Sequence, residues 1–123
     1  MSSFYISDVT TANDGEYGEA ALLVAGGEID YQASPQLNAL IRDHINAGAR
    51  RLVLDLSAVT FVDSTAIGVL VSAATRLHDA GGGSLAVVCA HEKVLQILEI
   101  AGLEGMVTLY RTREEALFAH ARG

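Results

Sequence analysis

A carboxylate and two hydroxyls stand side by side at Asp63-Ser64-Thr65. They follow the run Leu52-Val53-Leu54-Asp55-Leu56-Ser57-Ala58-Val59-Thr60-Phe61-Val62 and precede Ala66-Ile67-Gly68-Val69-Leu70. A strand that feeds a short loop and then a helix places the three polar groups at the helix start. Two uses of such groups are open. One is capping, in which side-chain oxygens accept from the orphan amides of the first turn. The other is a switch. A phosphoserine at a helix N-terminus gains from the amides and the helix dipole. It also adds roughly −1.5 to −2 charges, here beside Asp63. The local fold then tolerates the phosphate while a docking partner does not.

Other constellations that do chemistry are missing from the sequence. His44, His78, His91 and His120 are widely spaced without an HxxxH pair, and there is no CxxC, so no metal site is expected. There is no Gly-x-Ser-x-Gly elbow, Walker loop or dinucleotide fingerprint. Gly81-Gly82-Gly83 lies between a helix and a strand, where it stops the helix and presents no N-terminal amides to a phosphate. Without a base–nucleophile pair the chain is not expected to be an enzyme or to need a cofactor. Cys89, alone in Leu85-Ala86-Val87-Val88-Cys89-Ala90, reads as a small buried hydrophobe.

The 123 residues include 8 basic and 15 acidic side chains, for a formal charge of −7, and half are hydrophobic. This is the size of one domain, residues 1–123, able to bury a core without disulfides. Asp8, Asp14, Glu16, Glu19, Glu28 and Asp30 all precede the first base, Arg42. With no basic cluster, direct binding to nucleic acid is not expected. An acidic surface suits either a protein partner with a basic patch or solubility alone. The chain start lacks the basic and apolar regions of a signal peptide. The longest weakly polar stretch, Ala66 to Thr75, falls far short of the ~20 residues of a membrane helix. A reducing cytoplasm is the expected setting, and a free monomer the default.

The elements that must position Asp63-Ser64-Thr65 alternate. Phe4 to Val9 and Ala20 to Gly26 read as a hairpin turned by the polar segment Thr10 to Gly18, with Gly26-Gly27 ending the second strand. Ser34 should cap a helix with Pro35 at its first position, Leu37, Leu40, Ile41 and Ile45 on its inner stripe and Gly48 beyond its end. Arg51 to Leu56 is a buried strand. The helix from Asp63-Ser64 to Ala80 is apolar on more than one face, which predicts a central, heavily buried element. Leu85 to Cys89 is a strand. His91 to Ala101 is a helix with Val94, Ile97, Leu98 and Ala101 inward and Gly102-Leu103 as its cap. Met106 to Tyr110 is a last strand, and Thr112-Arg113-Glu114-Glu115 a capping box. The order β-β-α-β-α-β-α-β-α predicts an α/β domain with one mixed, mostly parallel sheet and helices packed against it.

Three blocks of the sequence resemble the STAS domain family, specifically the small single-domain anti-sigma factor antagonists (anti-anti-sigma factors). They are Gly27-Glu28-Ile29-Asp30 with Ser34-Pro35-Gln36-Leu37, then Leu52 to Leu56 with Phe61 to Leu70, and finally Gly82-Gly83-Ser84-Leu85 with Val94, Leu98 and Gly102-Leu103. Together they span about residues 4–118. The resemblance implies a cytoplasmic partner-switching module in signal transduction. Its unphosphorylated form would bind an anti-sigma factor, a serine kinase of the histidine-kinase-like ATPase fold, and so free a sigma factor. Phosphorylation by that kinase would release it, and a serine phosphatase would reverse the change. Ser64 matches the phosphoacceptor, with Thr65 the weaker candidate. Glu28, Asp30, Asp63, Ser64, Thr65 and Ile67 make up the implied partner-binding set. The alternative is an unphosphorylated STAS module that senses nucleotide in a larger complex. One departure is Ala66, where the commoner pattern has Gly. Alanine stiffens a helix start by ~1 kcal/mol, and the lost glycine bears on how closely a partner backbone approaches.

Overall fold

The structure, a computed structural model, describes residues 3–9 and 20–121. Five strands form one sheet: β1 (Phe4–Asp8), β2 (Ala21–Ile29), β3 (Arg51–Val62), β4 (Ser84–Val88) and β5 (Thr108–Tyr110). Between and after them come α1 (Ser34–Asn46), α2 (Ser64–Asp79), α3 (Glu92–Ile100) and α4 (Arg113–Ala121), with a short 3-10 turn at Leu103–Gly105. The strands lie in sequence order. β1 is antiparallel to β2 and every later neighbour is parallel. This is the element order and mixed sheet that the sequence predicts. The segment expected to turn the hairpin, Thr10 to Gly18, lies outside the described residues.

Successive strand residues face opposite sides of a sheet, and the core divides accordingly. Leu23, Leu54 and Val87 meet Leu37 and Ile41 of α1, Leu70 and Leu77 of α2 and Leu98 of α3 on one side. Leu22, Val53 and Val88 meet Ala116 and Leu117 of α4 on the other. Three crossovers running the same way across a parallel sheet put their helices on one face, so α1, α2 and α3 share a side. Their N-termini then gather at the C-terminal ends of the strands, which is where Ser64 sits.

Several boundaries differ from the sequence expectation, each for a physical reason. Gly26-Gly27 does not end β2, which continues to Ile29. A Cβ at Gly26 would stand 2.3 Å from the Tyr5 ring, and one at Gly27 would stand 2.1 Å from the Ser3 carbonyl oxygen. Gly27 also has φ +82°. The two glycines let β1 close over β2. β3 runs twelve residues to Val62, so no loop separates it from α2. Its pairing with β2 shifts register between Val24 and Gly26 and again between Gly27 and Glu28. At the first bulge Asp55 takes over the bonding. Its Oδ1 accepts from the Ser57 amide at 2.9 Å and the Ser57 hydroxyl at 2.5 Å. Its Oδ2 accepts from Arg113 Nε at 2.8 Å, tying α4 to the sheet.

α2 buries Ala66, Leu70, Ala73, Ala74 and Leu77. Ile67, Val69 and Val71 are only partly buried at its flanks, so the helix is one-sided rather than central. In α3, Val94 and Leu98 point inward and Ile97 packs at the edge. Ala101 is exposed, contrary to expectation, because the helix ends at Ile100 and Gly102 (φ +80°) turns Leu103 into the core instead. The last strand is only Thr108–Tyr110. The end of α1 closes as expected, with the Ala49 amide bonded to the His44 carbonyl and the Gly48 amide to that of Ile45. Thr112 caps α4 as expected, its hydroxyl accepting from the Glu115 amide at 3.2 Å, while the Glu115 carboxylate reaches back to that hydroxyl at 3.1 Å rather than to the Thr112 amide. Cys89 is 1% exposed, and burial pushes its thiol pKa up.

Candidate functional site

Asp63 is the joint between β3 and α2. Its amide donates to the Ile29 carbonyl at 3.3 Å, prolonging the sheet, while its own carbonyl accepts from Ile67 and opens the helix. Its backbone is extended (φ −111°, ψ −173°) and its side chain is the N-cap. Oδ1 accepts from the Thr65 amide at 2.9 Å and the Ala66 amide at 3.2 Å. It also accepts from the Thr65 hydroxyl at 2.5 Å. The Tyr31 amide adds a further bond. Partial burial would raise the Asp63 carboxyl pKa. The hydroxyl and amide bonds outweigh it and hold the group below its ordinary value, so it is charged at neutral pH.

This assigns the cap to Asp63 and frees Ser64 from that duty. Ser64 is the first residue of α2 and is exposed. Its hydroxyl makes no hydrogen bond among the described residues. Thr65 is also exposed, yet its hydroxyl is bonded twice, to Asp63 and, at 2.9 Å, to Ser34 Oγ. Ser34 had been expected to cap α1. The structure shows Ala33 in the cap position with no side-chain cap bond, and Ser34 buried with its hydroxyl turned toward α2.

Asp30 holds the turn between β2 and α1. Its carboxylate accepts from the Gln32 and Ala33 amides at 2.9 and 3.3 Å, and its carbonyl accepts from those of Ala33 and Ser34. The Ile29 carbonyl, accepting from the Asp63 amide, and the Tyr31 amide, donating to the Asp63 carboxylate, then clamp this turn to the start of α2. Asp30, Asp63, Ser64, Thr65 and Ile67 thus gather at one end of the domain. Glu28 does not join them. It pairs in register with Phe61, while the next pair, Ile29 and Val62, points into the helix-covered core. Glu28 therefore lies exposed on the opposite face of the sheet. Ala66 is 2% exposed, so its methyl packs inward and cannot hinder a partner's backbone.

Beside Ser64 runs an apolar groove of about 340 Å³, lined by Val62, Asp63, Ser64, Ile67, Ile97, Ile100 and Ala101. Ile100 is 82% exposed. Sequence reading expected Ile67 here but missed Ile97, Ile100 and Ala101. The signal was an isoleucine at 100, off the inward stripe of α3, where a surface helix normally carries a polar residue. Among the described residues no cluster of His, Cys, Asp and Glu is placed to hold a metal, and no helix is long and apolar enough to cross a membrane.

Known proteins resemble this chain in sequence and in fold. Anti-sigma-F factor antagonist RsfB of Mycobacterium tuberculosis is 29% identical over 110 residues, covering 89% of this chain and 88% of RsfB. The crystal structure of an anti-sigma factor antagonist from Mycobacterium paratuberculosis matches with a TM-score of 0.79 at 28% identity, over 94% of each chain. The phosphorylated form of the Bacillus cell fate determinant SpoIIAA shares the fold, with a TM-score of 0.64 at 22% identity over 94% of this chain and 96% of its own. The sequence profile of the STAS domain matches residues 12–116. With this match over most of its length and the shared five-stranded fold, the chain belongs to the STAS domain family.

Proposed function

We propose that this protein is an anti-sigma factor antagonist that works as a phosphorylation-controlled docking module, with Ser64 as its switch. The observation that carries the reading is the contrast between the adjacent hydroxyls. Ser64 is exposed, unbonded and on the rim of an apolar groove, whereas Asp63 already caps the helix. The antagonist names of the relatives support the same reading. The partner is an anti-sigma factor serine kinase of the histidine-kinase-like ATPase fold, and a serine phosphatase resets the switch.

In the unphosphorylated state the partner covers the groove and buries Ile67, Ile97 and Ile100, with Asp30 and Asp63 offering negative charge to a basic surface. Glu28 adds charge from the other face of the sheet. In the transfer step the Ser64 hydroxyl oxygen bonds to the γ-phosphorus of ATP. The bond from that phosphorus to the β-bridging oxygen breaks, ADP leaves and the hydroxyl proton passes to solvent. The product carries roughly −1.5 to −2 charges at the first position of α2. Helix amides and dipole favour it there, so the fold persists. A partner covering the groove must strip water from that dianion against apolar side chains and beside the ionised Asp63, which is costly without a matching cation. Release follows without a large movement of the backbone.

The test is to incubate the chain with ATP, Mg²⁺ and each histidine-kinase-like anti-sigma factor of the source genome, then locate the phosphate by fragment mass spectrometry. One kinase is expected to place a single phosphoryl group on Ser64, and Ser64→Ala should take none. No transfer by any of them would overturn the reading.

A further inference from the structure

Two exposed hydroxyl residues adjoin at the start of α2, and nothing in their side-chain chemistry alone tells a kinase which to use. Their hydrogen bonds do. A hydroxyl has one proton to donate, and an ionised carboxylate can only accept. The Thr65 proton is therefore committed to Asp63 Oδ1. The 2.9 Å contact between Thr65 Oγ1 and Ser34 Oγ must then run the other way, with Ser34 donating. A directed chain results, Ser34 to Thr65 to Asp63. It takes up the proton of Thr65 and one of the two lone pairs on its oxygen, and so fixes the hydroxyl between Asp63 and the buried Ser34, with its remaining pair held in one direction.

Ser34 is the anchor of this chain. It is 4% exposed, on the first turn of α1, and one of only two buried polar residues among those described. It does not cap its own helix. We infer that Ser34 is a positioning residue that withholds Thr65 from phosphoryl transfer and so leaves Ser64 as the single acceptor. The inference rests on the proposed function, because it concerns the choice of acceptor by the same kinase. Without Ser34, the Thr65 oxygen is no longer held toward α1 and has both lone pairs open, with the Asp63 carboxylate still at its proton, the arrangement of a nucleophile able to turn to a substrate with a weak base beside it. Transfer would then join Thr65 Oγ1 to the γ-phosphorus of ATP, with ADP leaving and the proton passing through Asp63 to water.

The experiment compares the unaltered chain, Ser34→Ala, Ser64→Ala and Ser34→Ala/Ser64→Ala with the kinase and Mg·ATP, mapping phosphate by residue. The unaltered chain should carry it on Ser64 alone, and Ser64→Ala should stay bare. The double variant should gain phosphate on Thr65 at least about tenfold faster than the detection limit that bounds Ser64→Ala, the rate equivalent of ~1.4 kcal/mol. Ser34→Ala alone should show both sites, its Ser64 phosphate proving that the variant folds and is recognised. Phosphate on Ser64 but never on Thr65 in the Ser34→Ala chains would overturn the acceptor-selection role and leave the proposed function standing. Ready phosphorylation of Thr65 in Ser64→Ala with Ser34 intact would overturn it equally. No phosphate on Ser64 of the unaltered chain would overturn the proposed function, and the selection role with it.

Discussion

Replacing Asp63 tests the structural duty of the motif apart from the switch proposed at Ser64. In Asp63→Ala the amides of Thr65 and Ala66 lose their side-chain acceptor, and the amide of Tyr31 loses its tie between the α1 turn and α2. Loss of an N-cap costs about 0.5–2 kcal/mol. The extra bonds here place the expected loss at the top of that range, about 2 kcal/mol, or a fall of roughly 6–10 °C in Tm for a domain of this length. Asparagine caps about as well as aspartate, so Asp63→Asn should lose less than about 1 kcal/mol. The acid limb gives an independent check on sign. The Asp63 pKa is lowered in the folded state, so its stabilisation is full above the unfolded value, near 3.8, and fades as pH falls through the folded value. The gap between wild type and Asp63→Ala should therefore close below that pH. Urea unfolding at pH 7 and at pH 3 measures both. A loss below about 0.5 kcal/mol for Asp63→Ala at pH 7 would refute the assignment of the cap to Asp63 and, with it, the reason Ser64 is free.

Four further outcomes are expected. Ile100→Asp should leave stability within about 0.5 kcal/mol of wild type, because the side chain is 82% exposed, yet weaken calorimetric binding to the anti-sigma factor about tenfold or more. Asp55→Asn should lose about 1–3 kcal/mol at neutral pH, since it discharges the partner of Arg113. The Asp55 pKa is likewise held low, with burial outweighed by Ser57 and Arg113, so this difference too should shrink in acid unfolding curves as pH drops below 3.8. Gly27→Ala should be strongly destabilising in thermal melts, with a backbone oxygen 2.1 Å from the new Cβ and φ +82°. Gly68→Ala, on α2 with open space around it, should be neutral or stabilising by up to about 1 kcal/mol.

Much of this architecture was legible because it depends on local periodicity. The stripe Leu37, Leu40, Ile41 and Ile45, the stop at Gly48 and the cap at Thr112 each act within a turn or two of chain, and they stand as read except that Leu40 packs at the edge of the core. What escaped depends on neighbours distant in sequence. Gly26-Gly27 is a turn signal by itself, and only the Tyr5 ring and the Ser3 carbonyl make it part of a strand. Ser34 before Pro35 has the pattern of a cap, but Thr65, thirty-one residues on, offers its hydroxyl a tertiary partner. The bulges of β3 shift register without leaving a periodic mark, and so hide how close the strand comes to Ser64. In the site, Asp63-Ser64-Thr65 was readable as a unit at a helix start. The division of labour within it was not, because the three groups differ in their hydrogen bonds rather than in their type. The groove at Ile97 and Ile100 was hidden too, since two helices not adjacent in sequence build it.

The central claim is that one phosphoryl group on Ser64 changes docking and not fold. The direct measurement is the equilibrium affinity of the same chain for its anti-sigma factor before and after stoichiometric phosphorylation of Ser64, with the far-ultraviolet circular dichroism of both forms recorded alongside. The account predicts superimposable spectra and an affinity lower by about a hundredfold, or ~2.8 kcal/mol. Equal affinities of the two forms, or a loss of affinity accompanied by a loss of helix, would contradict it.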